Sequence, residues 1–268
     1  MEGRVLIVAG SDSGGGAGIQ ADIKSVSMLG GFATTAITAL TAQNTRGVHG
    51  IYPVPPPFVA DQMGAVLDDL GADAIKTGML HSPEIIETVV REAGRHARGV
   101  PIVVDPVMVA KGGARLLEPA AESALKLRLL PVAALVTPNL PEAEVLSGTT
   151  IRTLDDMTRA IDPILALGPA AVLLKGGHLQ GDVVVDMLRT ADGEQHTFED
   201  TRIASRHTHG TGCTLASAVA VGVAQGLRLV DAVVRARDYV RRAIQTAPGY
   251  GAGHGPLNHG HPLIADVN

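Results

Sequence analysis

RVLIVAGSDSGGGAGIQADIKSVSML, residues 4–29, decides the fold class. RVLIVA (4–9) reads as a strand. A glycine-rich turn follows, and then a helix from about Gly18 to Leu29. Strand, turn and helix in that order open a βαβ unit, and the chain repeats the theme. ATTAITAL (33–40) reads as a second strand, and PPPFVADQMGAVLDDL (55–70) as a helix with Phe58, Met63, Val66, Leu67 and Leu70 at helical spacing. DAIKTGM reads as a strand, and SPEIIETVVREAG as a helix with Ser82 as N-cap and Pro83 in its first position. PIVVD, AALVT and AAVLLK are three further short apolar runs. VVVDMLRTADGEQHTFED carries Asp-Gly between alternating segments and predicts a hairpin, and two helices fill Thr211 to Thr246. Apolar strands alternating with helices predict an α/β fold: a three-layer α/β/α sandwich around a mainly parallel central sheet. No linker or fixed-period repeat breaks the chain, so a single domain over residues 1–268 is expected.

Composition narrows the function. The chain is 46% hydrophobic but only 2% aromatic, with no Trp, so its core is built from Ala, Val, Leu and Ile. A net charge of −5 without an extended basic run argues against a nucleic-acid partner. The single cysteine cannot make an internal disulfide, which suits a reducing cytoplasm. The N-terminal apolar run is too short for a signal peptide, and nothing approaches the roughly 20 apolar residues of a membrane span. A cytoplasmic protein with no membrane partner is expected. Arg235, Arg237, Arg241 and Arg242 interleave with Asp231 and Asp238 and predict a salt-bridged, solvated helix face.

In open α/β sheets, ligands gather at the carboxyl ends of strands. Unusual groups follow the predicted strands here: Gly10–Gly18, Gln43, Thr77–Met79, Asp105, Asn139 with Glu142, and Lys175–Gly177. GSDSGGGAG matches neither the dinucleotide-binding nor the P-loop pattern. It reads either as a flexible turn or as a loop whose backbone, from Gly10 to Ala17, closely approaches a small ligand. HGTGCTLASA is the stronger anion site. Gly210 and Gly212 allow a tight turn into a helix start, where amides and the helix dipole favour phosphate. Cys213 there is either a small buried residue or a thiol whose ionised form the helix terminus favours. Asn139 and Glu142 offer hard oxygen ligands for Mg²⁺, or a capping box. Asp105 ends a strand before a proline and also reads as a simple turn residue. Lys175 stands beside two glycines, where an ammonium can meet phosphate oxygens. Histidines 207, 209, 254, 259 and 261 match no common zinc spacing.

Taken together, AGSDSGGGAGIQADIKS, TALTAQNTRGV, IKTGML, VVDPVMVAKGGARLL, TPNLPEAEVLSG, LLKGGH, HGTGCTLASAVA and HGPLNH resemble the hydroxymethylpyrimidine/phosphomethylpyrimidine kinases of thiamine biosynthesis, a ribokinase-like family. The likeness runs from residue 9 to residue 259, and KGGARLL is its least dependable stretch. It implies a ribokinase-like sandwich, with ATP and Mg²⁺ as cofactors and a homodimer. It also implies two successive phosphorylations, of 4-amino-5-hydroxymethyl-2-methylpyrimidine and of its monophosphate. Carried over, Gln43 and Asp22 bind the aminopyrimidine, Met79 and Val107 line its ring, and Gly10 and Ala17 belong to the same subsite. Gly210, Gly212 and Cys213 form the anion hole, Lys175, Asn139 and Thr211 serve ATP, and Glu142 with Asp105 serves the metal. Gly30–Gly31 is a hinge in this reading. Cys213, as thiolate, is the expected general base for the alcohol step, the rival role being a spacer. Two alternatives remain at this stage: a pyridoxine/pyridoxal (vitamin B6) kinase and a non-catalytic pyrimidine-binding protein.

Overall fold

The computed structural model describes residues 2–109, 113 and 116–263, so KGGARLL lies partly outside it. The chain runs β1 (Arg4–Asp12), α1 (Gly18–Met28), β2 (Phe32–Asn44), β3 (Gly47–Pro53), α2 (Pro56–Asp69), β4 (Ala74–Thr77), α3 (Pro83–His96) and β5 (Ile102–Val104). It continues through α4 (Ala121–Ala124), β6 (Leu135–Val136), α5 (Leu140–Ser147), α6 (Leu154–Leu165), β7 (Ala171–Lys175), β8 (Val183–Thr190), β9 (Gln195–Thr201), α7 (Thr211–Ala224) and α8 (Leu229–Gln245).

β1 explains its own composition. Leu6 and Val8 pack into a core beneath α2, α3, α5 and α6, while Val5, Ile7 and Ala9 pack into a second core under α1, α7 and α8. Successive strand residues point to opposite faces, so a strand covered on both sides must be apolar throughout. The same split divides Ile102 and Val104 from Val103, and Val172 and Leu174 from Leu173. The nine strands form one sheet in the order β3-β2-β1-β4-β5-β6-β7-β8-β9. Pairing is parallel from β2 to β7 and antiparallel at both margins. The expected α/β/α sandwich is therefore what the chain builds.

Four details differ from the sequence reading. β1 runs on through Gly10 to Asp12, with a register shift against β2 between Ala9 and Ser11. β2 continues to Asn44 and turns back as β3, so Gln43 stands on a strand rather than after one. The expected Gly30–Gly31 hinge meets close packing at Gly31, where a Cβ would lie 2.4 Å from a Val221 methyl. Arg237 is not on a solvated face either. Its guanidinium is buried between Asp186 and Asp200, over the Phe198 ring. Arg228–Asp231 and Arg242–Asp238 are the exposed pairs.

Candidate active site

Gly210 caps α7 in the left-handed region, at φ +82°, and a Cβ there would stand 1.8 Å from the Gly16 carbonyl oxygen. Only glycine permits that contact, which presses the start of α7 against the loop after β1. α7 has no side-chain cap, so its first-turn amides face the site without a side-chain partner of that kind. A Cβ on Gly212 would lie 3.2 Å from Lys175 Nζ and 3.5 Å from Asp105 Oδ2. The expected anion cradle therefore adjoins Gly16–Ala17 on one side and the Lys175–Asp105 pair on the other.

Asp12 organises the glycine-rich loop. Its carboxylate accepts from the amides of Gly14 (2.8 Å), Gly16 (3.2 Å) and Ala17 (2.9 Å). It also lies 2.8 Å from His209 Nε2. Burial pushes the Asp12 carboxyl up, but hydrogen bonds from His209, Gly14 and Ala17 outweigh it and hold the group below its ordinary value. Of the two readings of GSDSGGGAG, the flexible turn gives way to a loop gathered round one carboxylate. Gln43 meets this assembly through His209, 3.3 Å away. Met79 and Gly10 are neighbours too: a Cβ on Gly10 would touch the Met79 sulfur at 3.0 Å. Val107 lines a small cavity with Thr77, Gly78 and Asp105. Thr211 Oγ1 donates to the Thr208 carbonyl in the turn before α7.

Asp22 corrects the sequence reading. It is sealed from solvent, with its oxygens 2.8 and 2.9 Å from Lys76 Nζ and the Ser217 hydroxyl donating to Oδ1 at 2.7 Å. A carboxylate so occupied cannot reach a substrate ring. Instead it ties α1, β4 and α7 together beneath the site. Burial works against the Lys76 ammonium, but the charge of Asp22, the hydrogen bond to it and the charge of Asp105, among others, together outweigh burial and raise that pKa. A buried charge left unpaired would cost about 3–5 kcal/mol, so neither partner is expendable alone.

Cys213 is corrected in its ionisation. Burial pushes the thiol up to about 12, with Lys76 only partly offsetting it. The helix terminus that predicted a thiolate is outweighed by lost hydration. The Gly18 amide hydrogen-bonds the sulfur, so Cys213 still contacts the glycine-rich loop.

Asn139 and Glu142 form the capping box that the sequence left open: each side chain accepts from the other's backbone amide, at 3.0 and 2.8 Å. Glu142 is nevertheless not inert. Burial pushes its carboxyl up to about 7 against the pull of Lys175, and the nearby charge of Asp105 raises it further. Lys175 Nζ donates to Asp105 Oδ1 at 3.2 Å, and its backbone amide bonds Pro138, beside Asn139. Lys76 and Ser217 were given no site role by the sequence reading, Asp12 entered it only within the Gly10–Gly18 loop, and His209 only as a histidine without zinc spacing. Only Lys76 carried a signal, as a charge inside an otherwise apolar strand. A groove of about 800 Å³ between α2 and α3 is lined by Asp61, Glu87, Arg91 and Arg95, among others, and by none of these site residues.

Comparison with known proteins gives concordant results. The family profile described as Phosphomethylpyrimidine kinase matches residues 12–258. The chain is 54% identical over 258 residues to the Thiamine biosynthesis bifunctional protein ThiED of Geobacter sulfurreducens, covering 96% of this chain but only 52% of that one. It is 50% identical to a hydroxymethylpyrimidine/phosphomethylpyrimidine kinase of Streptomyces coelicolor, with 97% of this chain and 95% of the relative covered. Among solved structures, the pyridoxal kinase of Staphylococcus aureus in complex with ADP superposes with a TM-score of 0.90 at 33% identity, covering 100% of this chain and 96% of the other.

Proposed function

Because the chain belongs to the phosphomethylpyrimidine kinase family, we propose that it transfers a phosphoryl group from ATP to 4-amino-5-hydroxymethyl-2-methylpyrimidine and then to the resulting monophosphate, as a thiamine-biosynthesis enzyme. The observation that carries this reading is the uncapped start of α7, wedged between Gly16 and the Lys175–Asp105 pair. Phosphoryl transfer asks a protein mainly to place reactants in line and to neutralise charge. Amides at a helix start do so for the equatorial oxygens of the moving group. Lys175 is the cation for the ATP phosphates, with Asn139 and Thr211 beside the nucleotide. Gln43, Met79, Val107, Gly10 and Ala17 surround the pyrimidine.

Mg²⁺ fits the residues present. Among the described residues no group of three or more His, Cys, Asp or Glu side chains stands ready to hold a metal. Mg²⁺ ordinarily takes one or two carboxylates and completes its shell with waters and substrate phosphates. Glu142 and Asp105 are those carboxylates in this reading, and burial has left Glu142 short of a compensating cation. When bound, the ion would offset charge on the ATP phosphates. Cys213 serves as a small residue that donates its amide to the cradle and leaves room for the bulkier second substrate, since a neutral thiol draws no proton from an alcohol. The second substrate presents a phosphate oxygen already largely ionised near neutrality, its second pKa being about 6.

Homodimer formation and a cytoplasmic location belong to the same proposal. No helix among the described residues is long and apolar enough to cross a membrane. The pyridoxal kinase alternative is favoured by one observation, the 0.90 superposition. The higher identity to the pyrimidine kinases weighs against it. Incubation with Mg·ATP and each alcohol, following ADP release, tests both. Turnover of the pyrimidine alcohol and its monophosphate well above pyridoxal is the expected result. Turnover of pyridoxal alone would overturn the reading, and no turnover of any alcohol would favour a non-catalytic binder.

A further inference from the structure

His209 Nε2 lies 2.8 Å from Asp12 Oδ2 and 3.3 Å from the Gln43 amide nitrogen. A carboxylate can only accept, so the Nε2 hydrogen belongs to the bond with Asp12, and that nitrogen has no lone pair for an amide donor. Thr41 Oγ1 poses a second conflict. It has one hydrogen and two acceptors in reach, the Ser11 carbonyl at 2.9 Å and Gln43 Oε1 at 3.1 Å. Turning the carboxamide by half a revolution removes both conflicts. Gln43 Oε1 then shares the His209 hydrogen, the amide NH₂ donates to Thr41 Oγ1, and Thr41 donates to Ser11. The imidazole cannot drift from this arrangement. Its amide donates to the Gly255 carbonyl, and its ring packs where a Gly16 Cβ would stand, beside Pro256.

We propose that the Asp12–His209 pair fixes which end of the Gln43 carboxamide accepts and which donates, making His209 a specificity-determining residue. The inference rests on the reading that Gln43 meets the pyrimidine. An aminopyrimidine shows an N–H donor next to a ring-nitrogen acceptor, whereas its 4-oxo analogue shows an acceptor next to a ring N–H. A carboxamide of fixed polarity accepts one pattern and leaves unpaired groups against the other, which is how polar sites discriminate strongly.

The test is calorimetric binding of the aminopyrimidine alcohol and of its 4-oxo analogue, without ATP, to four proteins. The native chain should prefer the amino form by about 100-fold or more. His209→Leu releases the carboxamide and should reduce that ratio at least about tenfold. Asp12→Ala removes the acceptor that holds the Nε2 hydrogen, so the imidazole can take either tautomer and the ratio should approach one. A merely structural role would weaken both ligands alike and leave the ratio intact. Gln43→Ala separates the two failures. If it weakens binding while the ratio survives both other substitutions, the polarity proposal is overturned and Gln43 remains a ligand. If it changes nothing, the reading of Gln43 fails as well. Should His209→Leu not fold, Asp12→Ala and His209→Asn carry the same comparison.

Discussion

Lys76 lies within strand β4 and Lys175 ends strand β7, and each bonds an aspartate, yet the two pairs differ in exposure and in bonding. The Lys76–Asp22 side chains are both 0% exposed, joined by two bonds of 2.8 and 2.9 Å, and Asp22 is further engaged by Ser217. Lys175 keeps 14% of its side chain exposed and holds Asp105 through one bond of 3.2 Å. The first pair has no route to a ligand and its partners cannot be exchanged without exposing a bare charge. The second adjoins Gly212 in the first turn of α7. One residue type therefore serves as scaffold in one place and, in the proposed reading, as a ligand contact in the other.

The sharpest way to break this comparison is Lys76→Met. It should destabilise the fold by about 3–5 kcal/mol, read by urea unfolding, because Asp22 is left buried and unpaired. Lys76→Met with Asp22→Leu should recover most of that loss. A double variant as unstable as the single one would mean that Lys76 is held for some reason other than its charge.

Lys175→Met should cost less stability than Lys76→Met, because Lys175 is partly exposed and holds Asp105 through one longer bond, and should lower kcat/KM about 100- to 1,000-fold, the usual cost of removing one charge-stabilising donor. A loss of stability in place of activity would put both lysines in the same class.

Glu142 reports on the second pair through pH. Its folded pKa of about 7 stands above the ordinary 4.5, so the folded state holds the proton more tightly than the unfolded one. The resulting stabilisation is fully present below about pH 4.5 and is lost as pH rises through 7. Glu142→Gln should flatten that fall in melting temperature between pH 4.5 and 7.5.

The smallest effect is expected from Cys213→Ala, a loss below about tenfold and equal in both phosphorylation steps. A loss confined to the alcohol step would restore the thiolate as general base.

Most strands and helices were legible because each obeys a local rule: apolar runs for strands covered on both faces, and Ser82–Pro83 for the start of α3, where the serine hydroxyl accepts from Ile85. β3 was not, since an edge strand shows no strict alternation of buried and exposed positions. In the site, positions were legible and partnerships were not. Gly210, Gly212, Asp105 and Lys175 follow from their places after strands and before a helix. Asp22 and Lys76 stand 54 residues apart, and nothing local in either segment tells that they meet. Cys213 misled for a related reason: the sequence displays the helix terminus, and only packing reveals the missing water.

The contact between Gly210 and Gly16 has a consequence for the life history of the molecule. The two walls of the expected anion cradle stand nearly 200 residues apart in the chain, at Gly16 and Gly210, with His259, bonded to Thr214, later still. A nascent chain emerging from the ribosome can complete most of its sheet while remaining chemically silent. A nick anywhere between the two walls leaves two pieces that must find each other again before the cradle exists.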